Sequence, residues 1–595
     1  MTFSKLFKRI SGIALVLGGS MLFAYACGWY PDESDFLSFM RPELYSKPKT
    51  DHLAFDPSTQ FYWRSYEKAQ GYESTPSSKV PNLFGWMEQV GNGVAVEDVS
   101  SIVYDLPLET LNDCYTTLQK NKKWTVPDSL KSNGMIAWLM QKKNREALGY
   151  LVHAKKSEVL SVREYNPWDP APVDTALADA CLREARLGYS KSKSPFLKSR
   201  YAFQLVKNAF YGNRYQECLA NDSMYGKAVR GINANLDQRM ASYCAGALYK
   251  LGRTPEAAYR FALMFNETTE LDLAYSHSLG FIWSERETPI ADVLPFCKSD
   301  AERSVVYAMF GMRDVAPYQT ALMESCFRYD NKNELLDVLL MREINKAELN
   351  YLQVRSQMEM GYYVYDGWTG GPNFPLDETM KKERNSFLQN GVPTELKKLT
   401  EFVHRMRQEE ALKNKPLWTI ADGYLSYMCE DYPSARMSFE QAANSSSLRE
   451  ADKNQLLILN LLVDLREKKI ALPNFENELA NQLTQLETLA KSGKEGSPYQ
   501  VIFRNLLKSE LPAYFMRKQD SLREMLTHQR FENSYESYEE PSSEKRLMHF
   551  SDYYFSHSGS LLDRYFSQAQ LNGLIDFQRN VSSPLDRWLL QGNQY

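Results

Sequence analysis

Apolar residues recur every three or four positions along residues 415–445, and this spacing favours helices. The stretch 418–428 is expected to form one helix, 430–433 a short turn, and 434–442 the start of a second helix. Two helices joined by so short a turn run antiparallel and pack against each other. The pattern therefore predicts a helical hairpin.

Small and large residues alternate across the predicted contact between these two helices. Gly423 and Ala435 stand where the helices must approach closely, because neither has a bulky side chain. Tyr432 is expected to pack against the turn, while Phe439 and Ala442 fill the seam to the next helix. We therefore assign these five residues to repeat packing.

A second copy of this arrangement occupies residues 241–265. Gly252 is expected to end the first helix of the pair, because glycine readily adopts the conformation of a helix C-cap. Ala257 and Phe261 then stand in the places of the small and the large residue of the first hairpin. Both hairpins resemble tetratricopeptide repeats, in which such helix pairs stack along the chain.

Weaker copies of the pattern cover residues 199–225 and 134–156, and further helix-like stretches lie at 456–469 and 474–491. Few runs of alternating β-branched residues occur, so a large sheet is not expected. We therefore predict an all-α fold, a tetratricopeptide-like helical-hairpin solenoid with irregular insertions and long loops. The resemblance implies extended surfaces for protein or peptide partners.

The 595 residues are enough for several core-sized units or for one elongated solenoid. We expect six regions along the chain. They are a signal peptide at 1–26, an N-terminal cap region at 27–130, a helical repeat region at 131–300, helices with an aromatic loop at 301–390, a second helical repeat region at 391–530, and an acidic loop with a C-terminal helical segment at 531–595.

The segment 361–376 interrupts the helical pattern, because glycine and proline are unfavourable inside a helix. Its aromatic side chains either tuck back onto the helices or face a partner. Tryptophan and tyrosine are favoured in binding hot spots. The candidate binding platform consists of Tyr362, Tyr363, Tyr365, Trp368 and Phe374.

The first 26 residues have the pattern of a secretory signal peptide. Three basic residues precede an apolar run at 10–23, which is too short for a membrane-spanning helix. Cleavage after Ala26 would leave Cys27 first, and the stretch 23–27 loosely resembles a bacterial lipobox. This resemblance implies lipid attachment at Cys27 and a place in the periplasm or at the outer membrane. Ordinary signal-peptidase cleavage at the same bond is the alternative.

The charge balance argues against nucleic acid as a partner. Lys and Arg number 70 against 74 Asp and Glu, a formal net charge of -4 at pH 7. Loss of the first 26 residues removes three basic residues and no acidic one, so the mature chain is more negative still. A negative chain repels phosphate backbones overall.

The eight cysteines and seven histidines show no metal-ligand or catalytic spacing. The sequence contains no C-x-x-C pair, no H-E-x-x-H motif and no glycine-rich nucleotide loop. We therefore expect most cysteines to be buried thiols, and we predict no metal and no cofactor. Catalytic groups that converge only in space leave no such motif, so an enzyme remains open.

These observations favour a non-catalytic binding or scaffolding protein of the cell envelope. Its repeat surfaces would take a protein or peptide partner, and a lipid at Cys27 would supply the membrane contact. The first alternative is a glycan-binding lipoprotein, because starch-utilisation lipoproteins are similar in helical content, repeat type and length. The second alternative is a hydrolase with an unrecognised site.

Overall fold

The structure is a computed structural model in which every regular element of the described residues is a helix and no strand occurs. The predicted all-α fold is confirmed. The described residues are 37–45, 79–161, 172–268, 273–285, 287–313, 318–360, 389–467, 475–492, 497–536 and 583–591, with the single positions 385, 577 and 581.

The α-helices of the described residues are as follows, in chain order. In the first part they are α1 (Lys79–Val90), α2 (Val96–Ser100), α3 (Leu108–Gln119), α4 (Gly134–Leu139), α5 (Arg145–Ser161), α6 (Thr175–Lys191), α7 (Pro195–Tyr211), α8 (Tyr215–Asn221), α9 (Ala234–Lys250) and α10 (Thr254–Glu267). In the middle they are α11 (Gly280–Ser284), α12 (Ile290–Val293), α13 (Asp300–Arg313), α14 (Thr320–Tyr329), α15 (Leu335–Ala347) and α16 (Val354–Met360). In the last part they are α17 (Thr394–Met406), α18 (Lys415–Met428), α19 (Tyr432–Ala443), α20 (Glu450–Arg466), α21 (Phe475–Ser492), α22 (Pro498–Asn505), α23 (Leu511–Arg517), α24 (Ser521–Glu536) and α25 (Pro584–Gln591).

Consecutive helices pack in pairs, which is the architecture of a helical-hairpin solenoid. The closest pairs are α6 with α7, α9 with α10, α13 with α14, and α18 with α19. Two π-helical turns, Glu348–Gln353 and Leu506–Glu510, join α15 to α16 and α22 to α23 without a break. Each of these pairs therefore acts as one long helix with a local widening.

The α18–α19 hairpin occupies the stretch in which the sequence predicted two helices. The predicted turn at 430–433 is too long, because Tyr432 and Pro433 already belong to α19. Proline is tolerated in the first turn of a helix, where its missing N–H has no partner to lose. Asp431 caps the helix by accepting a hydrogen bond from the N–H of Ser434 at 3.2 Å.

The two helices of this hairpin touch at Gly423. A Cβ atom added there would lie 2.5 Å from the Phe439 ring and 3.0 Å from the carbonyl oxygen of Ala435. Ala435, Phe439 and Ala442 are buried, and Tyr432 is half-buried beside the turn. Only glycine fits at position 423, so a larger residue would push α18 and α19 apart.

The α9–α10 hairpin has the same construction. Gly252 follows α9 with a φ of 75°, which favours glycine, and the N–H of Arg253 donates to the carbonyl of Leu248 at 2.9 Å. Ala257 and Phe261 are buried where α10 meets α9. Gly252 therefore lies at the turn of this hairpin, and the small residue Ala257 lies where its two helices are in close contact.

The helices form two large cores. The first unit, α1–α9, surrounds a core with members between Trp86 and Ala247. The second unit, α10–α25, surrounds a larger core that also contains side chains of residues 37–45. A small cluster of α9 and α10 side chains lies between the two.

Three further features bear on the sequence expectations. None of the described helices combines the length and the apolar character needed to cross a membrane. The seven cysteines within the described residues are free thiols, and six of them are buried. The helix α24 extends into the acidic stretch 532–545 as far as Glu536.

Candidate functional site

Residues 37–45 run through the core of the second unit, and we call them the inner segment. Ser38, Phe39 and Met40 are fully buried, and Arg41 is 1% exposed. A 3-10 turn, Pro42–Leu44, follows. Because the buried start of the segment belongs to no helix, its backbone groups must find other hydrogen-bonding partners.

Acidic and amide side chains accept hydrogen bonds from the N–H groups of the inner segment. The N–H groups of Phe39 and Met40 both donate to Oε1 of Glu348, at 2.7 and 3.0 Å. The N–H of Leu37 donates to Oε1 of Gln353 at 2.9 Å. Both acceptors belong to the π-turn between α15 and α16, a type of irregularity that is frequent at functional sites.

Side-chain amides donate hydrogen bonds to the carbonyl oxygens of the same segment. Asn505 donates to the carbonyl of Ser38 at 2.9 Å, and Gln455 donates to the carbonyl of Phe39 at 2.8 Å. Asn345 donates to the carbonyl of Met40 at 2.9 Å. These donors come from α22, α20 and α15, so three helices converge on one stretch of chain. We call the five residues the clamp, and they are Asn345, Glu348, Gln353, Gln455 and Asn505.

Glu348 is the centre of the clamp. It is fully buried and also accepts hydrogen bonds from the Tyr424 hydroxyl at 2.8 Å and from the Asn345 amide at 2.6 Å. Burial raises the pKa of Glu348, although the hydrogen bonds from Met40, Asn345 and Phe39 act in the opposite direction. One carboxyl group thus fixes two backbone N–H groups and two side chains.

An ionic network lies around the second π-turn. Arg466 donates two hydrogen bonds to Glu510, at 2.7 and 2.8 Å, and also contacts Glu359 at 2.5 Å. Arg355, which is 2% exposed, lies 3.4 Å from Glu430. Burial alone would raise the pKa of Glu510, but the charge and hydrogen bonds of Arg466 lower it to about 2. Glu510 is therefore ionised, and the positive charge of Arg466 compensates its negative charge inside the protein.

Two more buried carboxylates of the second unit have cationic partners. Asp422 lies 2.9 Å from Arg407, and Glu343 lies 2.7 Å from Lys346. All four side chains are less than one-tenth exposed. Groups that are paired and closed to solvent can hold a chain in position.

The predicted lipid-attachment residue Cys27 lies outside the described residues, and so do Tyr362, Tyr363, Tyr365, Trp368 and Phe374 of the predicted platform. The sequence analysis did not identify the clamp. Its sequence signal is the group of polar residues Arg342, Glu343, Asn345 and Lys346 in the second half of α15, a helix whose first half is mostly apolar. Such a group on a buried helix indicates partners inside the core.

Among the described residues, no group of three His, Cys, Asp or Glu side chains is arranged to hold a metal ion. In comparisons with protein-family models, curated proteins and solved structures, no family, protein or structure matches the chain. The geometry of the clamp and of the helical repeats is therefore the basis for assigning a function.

Proposed function

We propose that the protein is a non-catalytic binding or scaffolding protein of the cell envelope that uses its helical repeats to hold protein or peptide partners. The proposal includes export by the N-terminal signal, a lipid at Cys27 and repeats of the tetratricopeptide type. A helical solenoid suits this role because each hairpin adds to one extended surface.

The observation that carries the proposal is the clamp. Five side chains from neighbouring helices hold a non-helical stretch of chain through its N–H and C=O groups. Contacts of this kind depend little on the sequence of the bound chain, because they read only backbone atoms. The helices of the second unit thus hold a non-helical segment of the same chain, and this supports the proposal that helices of this protein hold a segment of a partner in the same way.

The position of the inner segment also suits a scaffold. Nine residues, 28–36, separate Cys27 from Leu37. A fully extended chain of this length spans ~35 Å at most. If Cys27 is acylated, the clamp keeps the second unit within that distance of the membrane surface. The repeats would then present their outer surfaces to partners at the membrane.

Photo-crosslinking in intact envelopes tests the proposal. The reactive side chain is placed at Met224, which is 66% exposed on the π-helical turn after α8, or at Met437, which is 60% exposed on α19. Exposed apolar side chains are suitable contacts for a partner. We expect discrete protein crosslinks at one or both positions, identified by mass spectrometry. Lys131, an exposed lysine on a connection in the first unit, is the matched control.

Crosslinking together with two further assays, a glycan array and a hydrolase panel, distinguishes the alternatives. Absence of protein crosslinks together with binding on a glycan array would contradict the proposal and favour a glycan-binding lipoprotein. Turnover on a hydrolase panel would favour the enzyme. Intact-mass analysis of membrane-extracted protein tests the anchor: loss of residues 1–26 with an added lipid mass is expected, and an unmodified Cys27 in a soluble fraction would exclude lipidation.

The aromatic platform stays a prediction. Trp368→Ala should abolish the capture of partners and leave the melting temperature unchanged if the ring contacts a partner. A large drop in melting temperature would instead identify Trp368 as an anchor of its own loop, and the platform would then be wrong.

A further inference from the structure

The first unit contains a cleft that the proposed function does not use. It has a volume of about 390 Å³ and lies between α1, α5, α7 and α9. This volume is within the range of small-molecule sites, roughly 300–1,000 Å³. The cleft is therefore large enough for a compact organic ligand.

Cations dominate the lining of this cleft. Among the described residues, its one negatively charged side chain is Glu158. Its positively charged side chains are Lys79, Lys155, Arg200, Lys207 and Arg239. The whole chain has the opposite balance, with a formal net charge of -4. The cleft is thus a local concentration of positive charge, and such a site attracts anions.

Lys207 is a buried cation of this cleft. Its side chain lines the cleft, is 8% exposed, and makes no hydrogen bond or ion pair with the described part of the chain. Glu158, the carboxylate in the cleft, forms its ion pair with Lys155 at 3.0 Å, and its charge acts on Lys207 only over a distance longer than an ion pair. Burial lowers the pKa of Lys207 to about 8, so its amine is still mostly charged at neutral pH.

Arg200 is a second buried cation of the cleft without a carboxylate partner among the described residues. It is 2% exposed, and its guanidinium packs against the rings of Trp86 and Phe196, 4.6 and 4.4 Å from their centroids. It donates a hydrogen bond to Oδ1 of Asn82 at 2.7 Å, while its Nε has no partner. Arg200 and Lys207 are seven residues apart on α7, so they share one face of that helix. A buried cation destabilises a fold unless an anion compensates it.

The remaining walls supply apolar contact. Tyr150, Phe203 and Tyr243 line the cleft beside Trp86. Aromatic rings bind planar or aliphatic groups through their faces and edges. The cleft therefore combines the cations Lys207 and Arg200 with an aromatic surface. A site for an inorganic ion needs no aromatic surface, so this combination favours an organic anion.

We infer that this cleft binds a small organic anion, with Lys207 and Arg200 neutralising its carboxylate or phosphate group and the aromatic walls holding its apolar part. The inference is independent of the proposed function, because the clamp lies in the second unit. A ligand here would compensate two cations that have no carboxylate partner among the described residues.

Isothermal titration calorimetry of the full mature protein with four probes of similar shape tests the inference. Phenyl phosphate and benzoate are the anions, benzyl alcohol is the neutral analogue, and benzylamine is the cation. We expect at least one anion to bind with a 1:1 stoichiometry, and the stronger of the two identifies the group that the cleft prefers. Binding of benzyl alcohol as tight as that of both anions, or no anion binding at millimolar concentration, would overturn the inference.

Two variants locate the binding site. Lys207→Met removes the ammonium but keeps a long apolar side chain, and it should weaken anion binding at least tenfold. Lys198→Met is the matched control, because Lys198 lies on the same helix but outside the cleft lining, and it should bind as the wild type does. An unchanged affinity in Lys207→Met would overturn the inference. The comparison of charged and neutral probes on the wild type remains decisive if a variant does not fold.

Discussion

The second and the first unit both bury charged side chains, but they treat them differently. In the second unit Glu510 is fully buried and accepts two hydrogen bonds from Arg466. In the first unit Lys207 and Arg200 are nearly as buried and have no carboxylate partner among the described residues. Burying a charge is costly unless a partner compensates it. Buried charges that are paired with each other, as in the second unit, therefore indicate a structural role. Buried cations that line a cleft without a carboxylate partner, as in the first unit, favour a bound anion.

The largest effect is expected at the centre of the clamp. Glu348→Ala would leave the buried N–H groups of Phe39 and Met40 and the hydroxyl of Tyr424 without this acceptor. Each unsatisfied buried group costs about 1–3 kcal/mol, so the free energy of unfolding should fall by roughly 3–5 kcal/mol. Urea denaturation measures this change.

Glu440→Ala is the control for the clamp, because Glu440 is exposed on α19, and it should change stability very little. Hydrogen exchange gives a second measure. The amides of Phe39 and Met40 should be strongly protected in the wild type and should exchange rapidly in Glu348→Ala. Equal stability of the two variants would contradict the structural role of the clamp.

The next effect is an acid sensitivity of the ionic network. The pKa of Glu510 is about 2, below the ordinary glutamate value of 4.5. Its contribution to stability is therefore complete above pH 4.5 and is lost as the pH falls towards 2. Glu510→Gln should lower the free energy of unfolding at pH 7 by roughly 2–3 kcal/mol and flatten its decline over that acid range.

Glu476→Gln is the matched control for Glu510, since Glu476 pairs with Arg523 at 2.8 Å but is 42% exposed. Exposed ion pairs contribute about 0–1 kcal/mol. An acid profile of Glu510→Gln identical to that of the wild type would show that the network is not the acid-sensitive part of the second unit.

The smallest effect concerns Glu524, a carboxyl group of the second unit that has no cationic partner among the described side chains. Burial, together with the charge of Asp520, raises the pKa of Glu524 to about 7. The stability that comes from its protonated form is present below pH 4.5 and is lost as the pH rises through 7. Glu524→Gln should therefore raise the free energy of unfolding by about 1 kcal/mol at pH 8 and leave it unchanged at pH 4. A loss of stability at pH 8 would contradict this assignment.

The sequence predicted the hairpins but not the two sites, and the reason is distance along the chain. The close contact at Gly423 depends on residues fewer than twenty positions away, so periodicity and a small residue were enough. The hydrogen bond between Asn505 and Ser38 joins residues 467 positions apart. The cations of the cleft come from four helices in the same way. Neither arrangement has a local pattern, because each exists only after the helices have packed.

The central claim is that the second unit pairs the buried charges of its ionic network around Glu510 internally, while the first unit leaves Lys207 and Arg200 for a ligand. It is tested most directly by the free energies of unfolding of Arg466→Met and Lys207→Met, measured side by side at pH 7 without added anions. Arg466→Met removes the bidentate partner of buried Glu510 and should lose roughly 3–5 kcal/mol. Lys207 has its pKa lowered from 10.5 to about 8, and its charge therefore costs stability at pH 7. Lys207→Met should gain roughly 1–3 kcal/mol. Similar losses in both variants would contradict the claim.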